Sequence, residues 1–246
     1  MGTTYSGGCM GVVDMNGDGL DDMAILHNAR VLHVDYQNTD GTFTMHDYGA
    51  MSNAAQWGWA IADIDNNGHK DVVSGGNYDG THYVRISAPG SGVLSQLSGA
   101  SIYQQAMSIG DINNDGYLDV VACDDVGPNN LWFADAAGTL TPNNGYINWA
   151  TSPTSDMSGN YGSCFTDFDS DGDVDLYIAK CRQGVNDSSD PRRWNRLFVN
   201  NGSNAYTDQA VGYGLQIRNQ TWTADFGDFD NDGDLDMVAT NHDATI

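Results

Sequence analysis

One nine-residue pattern, D-x-[DN]-x-[DN]-G-x-x-D, occurs five times in the chain and restricts the available folds more than any other feature. It spans Asp14 to Asp22 (DMNGDGLDD), Asp63 to Asp71 (DIDNNGHKD), Asp111 to Asp119 (DINNDGYLD), Asp167 to Asp175 (DFDSDGDVD) and Asp228 to Asp236 (DFDNDGDLD). The first aspartates stand 49, 48, 56 and 61 residues apart. Self-similarity at such a period is the mark of a repeat architecture.

The flanks of the loops repeat as well. An apolar residue stands two positions before each loop (Val12, Ile61, Ile109, Phe165, Phe226) and another at its second position (Met15, Ile64, Ile112, Phe168, Phe229). Short apolar runs follow, such as Val72-Val73, Val120-Val121 and Leu176-Tyr177-Ile178. Runs of this length beside turn residues read as buried strands, so each loop joins the two strands of a hairpin. A second hairpin ends at 41–44, 92–95, 138–141 and 204–207, which makes four strands per repeat.

Four short strands recurring at about fifty residues is the pattern of a propeller blade. The expected fold is all-β: a β-propeller of four-stranded antiparallel blades, four complete and a fifth partial, in a single domain over 1–246. The blades are expected near 1–50, 51–100, 101–150 and 151–212, with the partial one at 213–246. An open β-solenoid is the alternative, although solenoid coils usually repeat at a shorter period.

Composition removes other classes. Every one of the 33 acidic residues is Asp, there are 30 glycines, and helical surfaces favour Glu over Asp. The bias therefore speaks for turns and against an all-helical protein. Against nine basic residues the formal net charge is −24, which repels nucleic-acid phosphates. No stretch reaches the length of a membrane span, and residues 1 to 25 lack the basic start and apolar core of a signal peptide. Neither nucleic-acid binding nor membrane insertion is expected.

Alternating Asp and Asn point the first, third and fifth side chains of each loop into one concavity. Glycine at the sixth position permits the turn that brings up a carbonyl and a last carboxylate. Crowded carboxylates repel one another unless a cation lies between them. Oxygen-only donors in a flexible loop suit Ca²⁺ better than Mg²⁺ or Zn²⁺. The pattern follows an EF-hand through position six and then departs. The glutamate of position twelve is replaced by Ile25, Ser74, Ala122, Ile178 and Ala239.

The loops, their apolar flanks and the segment Leu197-Phe198-Val199-Asn200-Asn201-Gly202 resemble FG-GAP/VCBS repeats, the calcium-loop blades of integrin α-chain propellers. The resemblance covers nearly the whole chain. It implies Ca²⁺ at about five sites, held by the side chains of positions one, three, five and nine and the carbonyl of position seven. The implied sets are Asp14, Asn16, Asp18, Leu20 and Asp22; Asp63, Asp65, Asn67, His69 and Asp71; and Asp111, Asn113, Asp115, Tyr117 and Asp119. The last two sets are Asp167, Asp169, Asp171, Asp173 and Asp175, and Asp228, Asp230, Asp232, Asp234 and Asp236. These two supply four ligand carboxylates each and are expected to bind tightest. Lys70 inside the second loop should make that site the weakest.

Function is expected on the face opposite the loops, where two insertions fall near 142–159 and 182–195. The second insertion region holds Arg182, Arg192, Arg193, Trp194 and Arg196, beside Lys180. Two readings stay open: these residues bind an acidic sugar or partner, or they pair with Asp187 and Asp190 to hold a long loop. Cys164 and Cys181 flank one hairpin and form the favoured disulfide among the four cysteines, with free thiols as the alternative. His27 and His242, after second strands, read as turn histidines. No nucleophile or metalloprotease motif is present, so no catalytic residue is assigned.

The leading expectation is a calcium-binding extracellular, cell-surface or periplasmic recognition or adhesion module for a protein or glycan ligand. The alternatives are a polysaccharide lyase or hydrolase domain, and an assembly protein pairing through the open fifth blade. The edge of that blade invites another chain or a further segment to complete it.

Overall fold

The computed structural model describes residues 9–28, 30–99 and 102–242. The fold is all-β, with four four-stranded antiparallel sheets and one two-stranded sheet in succession along the chain. The first contains β1 (Met10–Val13), β2 (Asp22–His27), β3 (Val31–Gln37) and β4 (Phe43–Ala50). The second contains β5 (Gln56–Ala62), β6 (Asp71–Gly76), β7 (Thr81–Ala88) and β8 (Ser91–Gln96). The third runs β9 (Gln104–Gly110), β10 (Asp119–Asp124), β11 (Asn130–Phe133) and β12 (Thr141–Pro142). The fourth runs β13 (Asn160–Thr166), β14 (Asp175–Lys180), β15 (Arg196–Asn200) and β16 (Tyr206–Asp208). The fifth pairs β17 (Thr221–Gly227) with β18 (Asp236–Asn241). Strands neighbour one another in chain order within every sheet, so each connection is a hairpin.

The second strand of each inner sheet explains its apolar run. Successive side chains on a strand face opposite sides, and here both sides are covered. Val72 packs into the core shared with the first sheet and Val73 into that shared with the third. Val120 and Val121 divide in the same way between the second and fourth sheets, as do Leu176 and Tyr177 between the third and fifth. Four clusters therefore form in series, each between two neighbouring sheets. On the outer faces of the first and last sheets no further sheet packs among the described residues, and Met10, Val12, Phe229 and Val238 are exposed.

The first strands of the second to fifth sheets lie side by side, the first two acidic loops meet through the Lys70 N–H and the Met15 carbonyl, and small residues let the strands approach. A Cβ on Gly58 of β5 would sit 3.0 Å from the backbone of Ala106 in β9. On Gly162 of β13 it would sit 2.7 Å from the carbonyl of Trp222 in β17. All five acidic loops consequently lie at one end of the sheets, and the strand-two to strand-three turns and inter-sheet links at the other.

Candidate functional site

Each acidic loop is held by its own carboxylates before any ion is considered. The position-one aspartate accepts backbone N–H groups from across the turn: Asp14 from Gly17 and Gly19 at 2.8 Å each, Asp111 from Asp115 and Gly116 at 3.0 and 2.8 Å. Asp167 and Asp228 repeat this with Asp171 and Gly172, and with Asp232 and Gly233. Position five accepts the N–H of position seven, as Asp18 does from Leu20 and Asp171 from Asp173. The residue after position three sits at positive φ in four loops (Asn66, Asn114, Ser170, Asn231), and glycine (Gly17) takes that place in the first. Asn and Gly tolerate this conformation best.

Position nine does structural work as well. One oxygen of Asp22, Asp71, Asp119 and Asp175 accepts the N–H of position two (Met15, Ile64, Ile112, Phe168). The other accepts an N–H at the far end of the third strand (Gln37, Ile86, Ala134, Asn200). These four carboxylates are fully buried. Burial pushes Asp71 and Asp175 up to about 6 and Asp119 up to about 7; the backbone donors oppose the shift and neighbouring carboxylates add to it.

In three loops, carboxylate oxygens of positions one, three and nine lie within 4.8 Å of one another: Asp63, Asp65 and Asp71; Asp167, Asp169 and Asp175; and Asp228, Asp230 and Asp236. In the first and third loops position three is Asn16 or Asn113, whose amide donates to Asp18 or Asp115 at position five. Asp171 and Asp232 stand outside the convergent groups. An all-oxygen set that would otherwise repel itself fits a hard cation such as Ca²⁺. The second loop holds a feature invisible in its sequence, because the guanidinium of Arg85 approaches Asp65 at 3.8 Å. The Asp173 side chain at position seven of the fourth loop accepts from Asn114 of the third, linking neighbouring loops.

At the opposite end, the basic cluster is tied into the fold. Arg192 pairs with Asp190 at 2.6 Å and faces Asp156 at 3.6 Å, and Arg182 reaches Asp125 at 3.4 Å. Arg193 is buried, with a guanidinium N–H donated to the Asn186 carbonyl at 2.7 Å. Arg196 is buried over the Phe198 ring, pairs with Asp208 at 2.8 Å and donates to the Trp149 carbonyl. Trp194 donates to the Ser188 carbonyl and is covered by the guanidinium of Arg218. Of the two partners expected from sequence, Asp190 pairs with Arg192. Asp125, Asp156 and Asp208 come from other segments.

The Cys164–Cys181 bridge is not formed, and all four cysteines are free thiols. Strand register is the reason. Cys164 lies opposite Tyr177, four residues short of Cys181. That offset is about 13 Å along a strand, beyond the roughly 7 Å Cα separation a disulfide spans. Burial pushes the Cys123 thiol up to about 12, which leaves it a poor nucleophile.

Fold and loops together define an all-β repeat protein whose sheets each carry an acidic turn at the same end. The profile of the FG-GAP-like repeat matches residues 14–74, 63–122, 111–178 and 167–239, and the chain belongs to this family. Among solved structures it is similar to a lectin from Agrocybe aegerita described as recognising non-reducing terminal N-acetylglucosamine. The TM-score is 0.57 at 16% identity, covering 94% of this chain and 60% of the lectin. The biofilm matrix protein Bap1 of V. cholerae aligns with a TM-score of 0.44 at 16% identity, over 80% of this chain and 27% of Bap1. The chain thus spans less than two thirds of either structure. No curated protein matches it in sequence. Among the described residues no helix is long and apolar enough to cross a membrane.

Proposed function

We propose that this chain is a calcium-binding extracellular recognition module. Its sheets are arranged as the blades of a propeller, and it meets a glycan or protein on the face opposite the acidic loops. The observation that carries the reading is the recurrence of one oxygen-lined turn at the same end of every sheet, in a member of the FG-GAP-like family. Ca²⁺ would be held by the loop carboxylates and would remove the repulsion among them. Its role is structural, bracing neighbouring sheets at one end while the loops at the other remain available for contact.

For each loop we take the Kd of about 0.1–1 mM found for extracellular calcium modules. At about 1 mM free Ca²⁺ each such site adds about 0.4–1.4 kcal/mol by linkage. Five such sites together add about 2–7 kcal/mol, a large share of a domain's stability of about 5–15 kcal/mol, and the calcium-rich exterior would supply the ion. The lectin that shares the fold makes glycans the first ligand class to try. The test combines thermal melting in Ca²⁺ and in excess EGTA with retention on a panel of neutral and acidic polysaccharides. Melting that EGTA leaves unchanged would overturn the calcium role. Release of unsaturated or reducing ends would make the protein an enzyme.

A further inference from the structure

A bulge recurs in the first strand at the end away from the acidic loops. In β5 the pairing passes from Gln56 to Gly58, in β9 from Gln104 to Ala106, in β13 from Asn160 to Gly162 and in β17 from Thr221 to Thr223. The anchoring residue before each bulge is polar and buried (Gln56, Gln104, Asn160, Thr221). The skipped residue is Trp57, Gln105, Tyr161 or Trp222. A bulge re-aims a side chain out of the ladder, and three of these four side chains are aromatic.

Two of these positions differ in what surrounds them. The Trp57 ring is packed by Tyr103 at 5.0 Å, and Tyr103 by Tyr78 at 5.1 Å. At the last bulge a cleft of about 260 Å³ opens beside Trp222, which is 50% exposed. His242 stacks nearly parallel to Trp222, with 10° between the rings, and Tyr161 stacks on it at 28°. Gln183 and Asn186 line the same cleft. Neither side chain makes a hydrogen bond to the described residues, whereas Gln220 is held by the carbonyls of Arg182 and Val185. A second cleft of about 270 Å³ adjoins Trp222 and His242.

We propose that the cleft between Trp222, Tyr161 and the 183–186 turn is a binding site for a neutral pyranose unit of a glycan. This rests on the recognition reading above and adds the site and the ligand class. The CH face of a sugar ring matches an aromatic platform, which is apolar on its face and polar at its rim. Uncommitted amides offer both donors and acceptors to vicinal hydroxyls. The volume lies just under the roughly 300–1,000 Å³ of drug-sized pockets, which suits one sugar ring with its substituents. Among the described residues no Lys, Arg, Asp or Glu side chain lines the cleft. With a net charge of −24 around it, uronic acids and other anions are disfavoured. The arginine cluster is not needed, because its members already have partners.

The test titrates the whole chain, in millimolar Ca²⁺, with methyl glycosides of glucose, galactose, mannose and N-acetylglucosamine, their short oligosaccharides, and glucuronate. Indole NMR signals report the site, and retention on immobilised glycans reports recognition independently. Trp222→Ala should weaken neutral-glycan binding at least tenfold while the far-UV circular dichroism stays that of the wild type. Trp222→Phe should retain part of the affinity, and Gln183→Ala with Asn186→Ala should cost several-fold. Trp194→Ala should change nothing. Wild-type binding that Trp222→Ala leaves intact, or a preference for glucuronate, would overturn this site while the recognition reading survives. Binding to no glycan at all would overturn the site, and recognition would then rest on a protein ligand.

Discussion

Asp119 allows the structural share of a loop carboxylate to be separated from its share in holding an ion. It is fully buried and accepts from the N–H of Ile112 at 3.0 Å and of Ala134 at 2.9 Å, so one side chain joins the loop to the end of β11. Truncation to alanine leaves two buried donors without acceptors, at about 1–3 kcal/mol each. In calcium-free protein Asp119→Ala should therefore lose about 2–6 kcal/mol, a large fraction of a domain's stability. Asp119→Asn keeps an oxygen for one donor and turns an amide N–H₂ toward the other, so about half that loss is expected. The assay is urea unfolding at pH 7 in excess EGTA, followed by tryptophan fluorescence with the slope required to match wild type. A loss for Asp119→Ala within about 0.5 kcal/mol, the range of ordinary surface changes, would refute the reasoning. Repeating the series in Ca²⁺ should widen the deficit by the linkage of the third loop.

Arg85→Gln removes the cation beside Asp65 and should tighten calcium binding at the second loop without altering the fourth; site-resolved titration that moves both, or neither, counts against it. Gly162→Val places branched carbon against the Trp222 carbonyl and should cost about 1–3 kcal/mol by overpacking, visible as a fall of several degrees in Tm. An unchanged Tm would mean that the fourth and fifth sheets do not meet there. Lys180 is buried with its ammonium donating to Asn160 at 2.9 Å, and desolvation, aided by Arg196, lowers it to about 7. Its folded pKa lies below its unfolded one, so stability should rise with pH between about 7 and 10 as the unfolded chain alone stays protonated. Lys180→Met should flatten that slope by up to about 1.4 kcal/mol per pH unit; a parallel pH profile for the variant would refute the assignment.

The repeat, the four-stranded sheets and the acidic turns were legible in the residues because all three are local. A hairpin needs only neighbouring segments, and the loop packs its donors, its glycine and its strand entries into nine positions. The alternation that buries Val72 on one side and Val73 on the other could be anticipated as a continuous apolar run. The direction of each side chain could not, since it depends on which sheet comes to lie on which face.

What stayed hidden depends on segments far apart in the chain. Arg85 reaches Asp65 from a different strand, Arg196 finds Asp208 and the Trp149 carbonyl, and Arg182 meets Asp125 of the preceding sheet. Composition marked these arginines as a cluster in an acidic chain, but a ligand face and an internal tie have the same composition. The cysteines show the same limit, because proximity along the chain favoured Cys164 with Cys181 while strand register holds them apart. The aromatic cleft is the converse case. Tyr161, Gln183 and Trp222 are unremarked in sequence because no motif joins them, and only the stacking of one sheet on the next, with a bulge at each strand entry, brings them to one surface. Local chemistry is written in the order of residues, whereas contact between sheets is set by packing that no nine-residue pattern encodes.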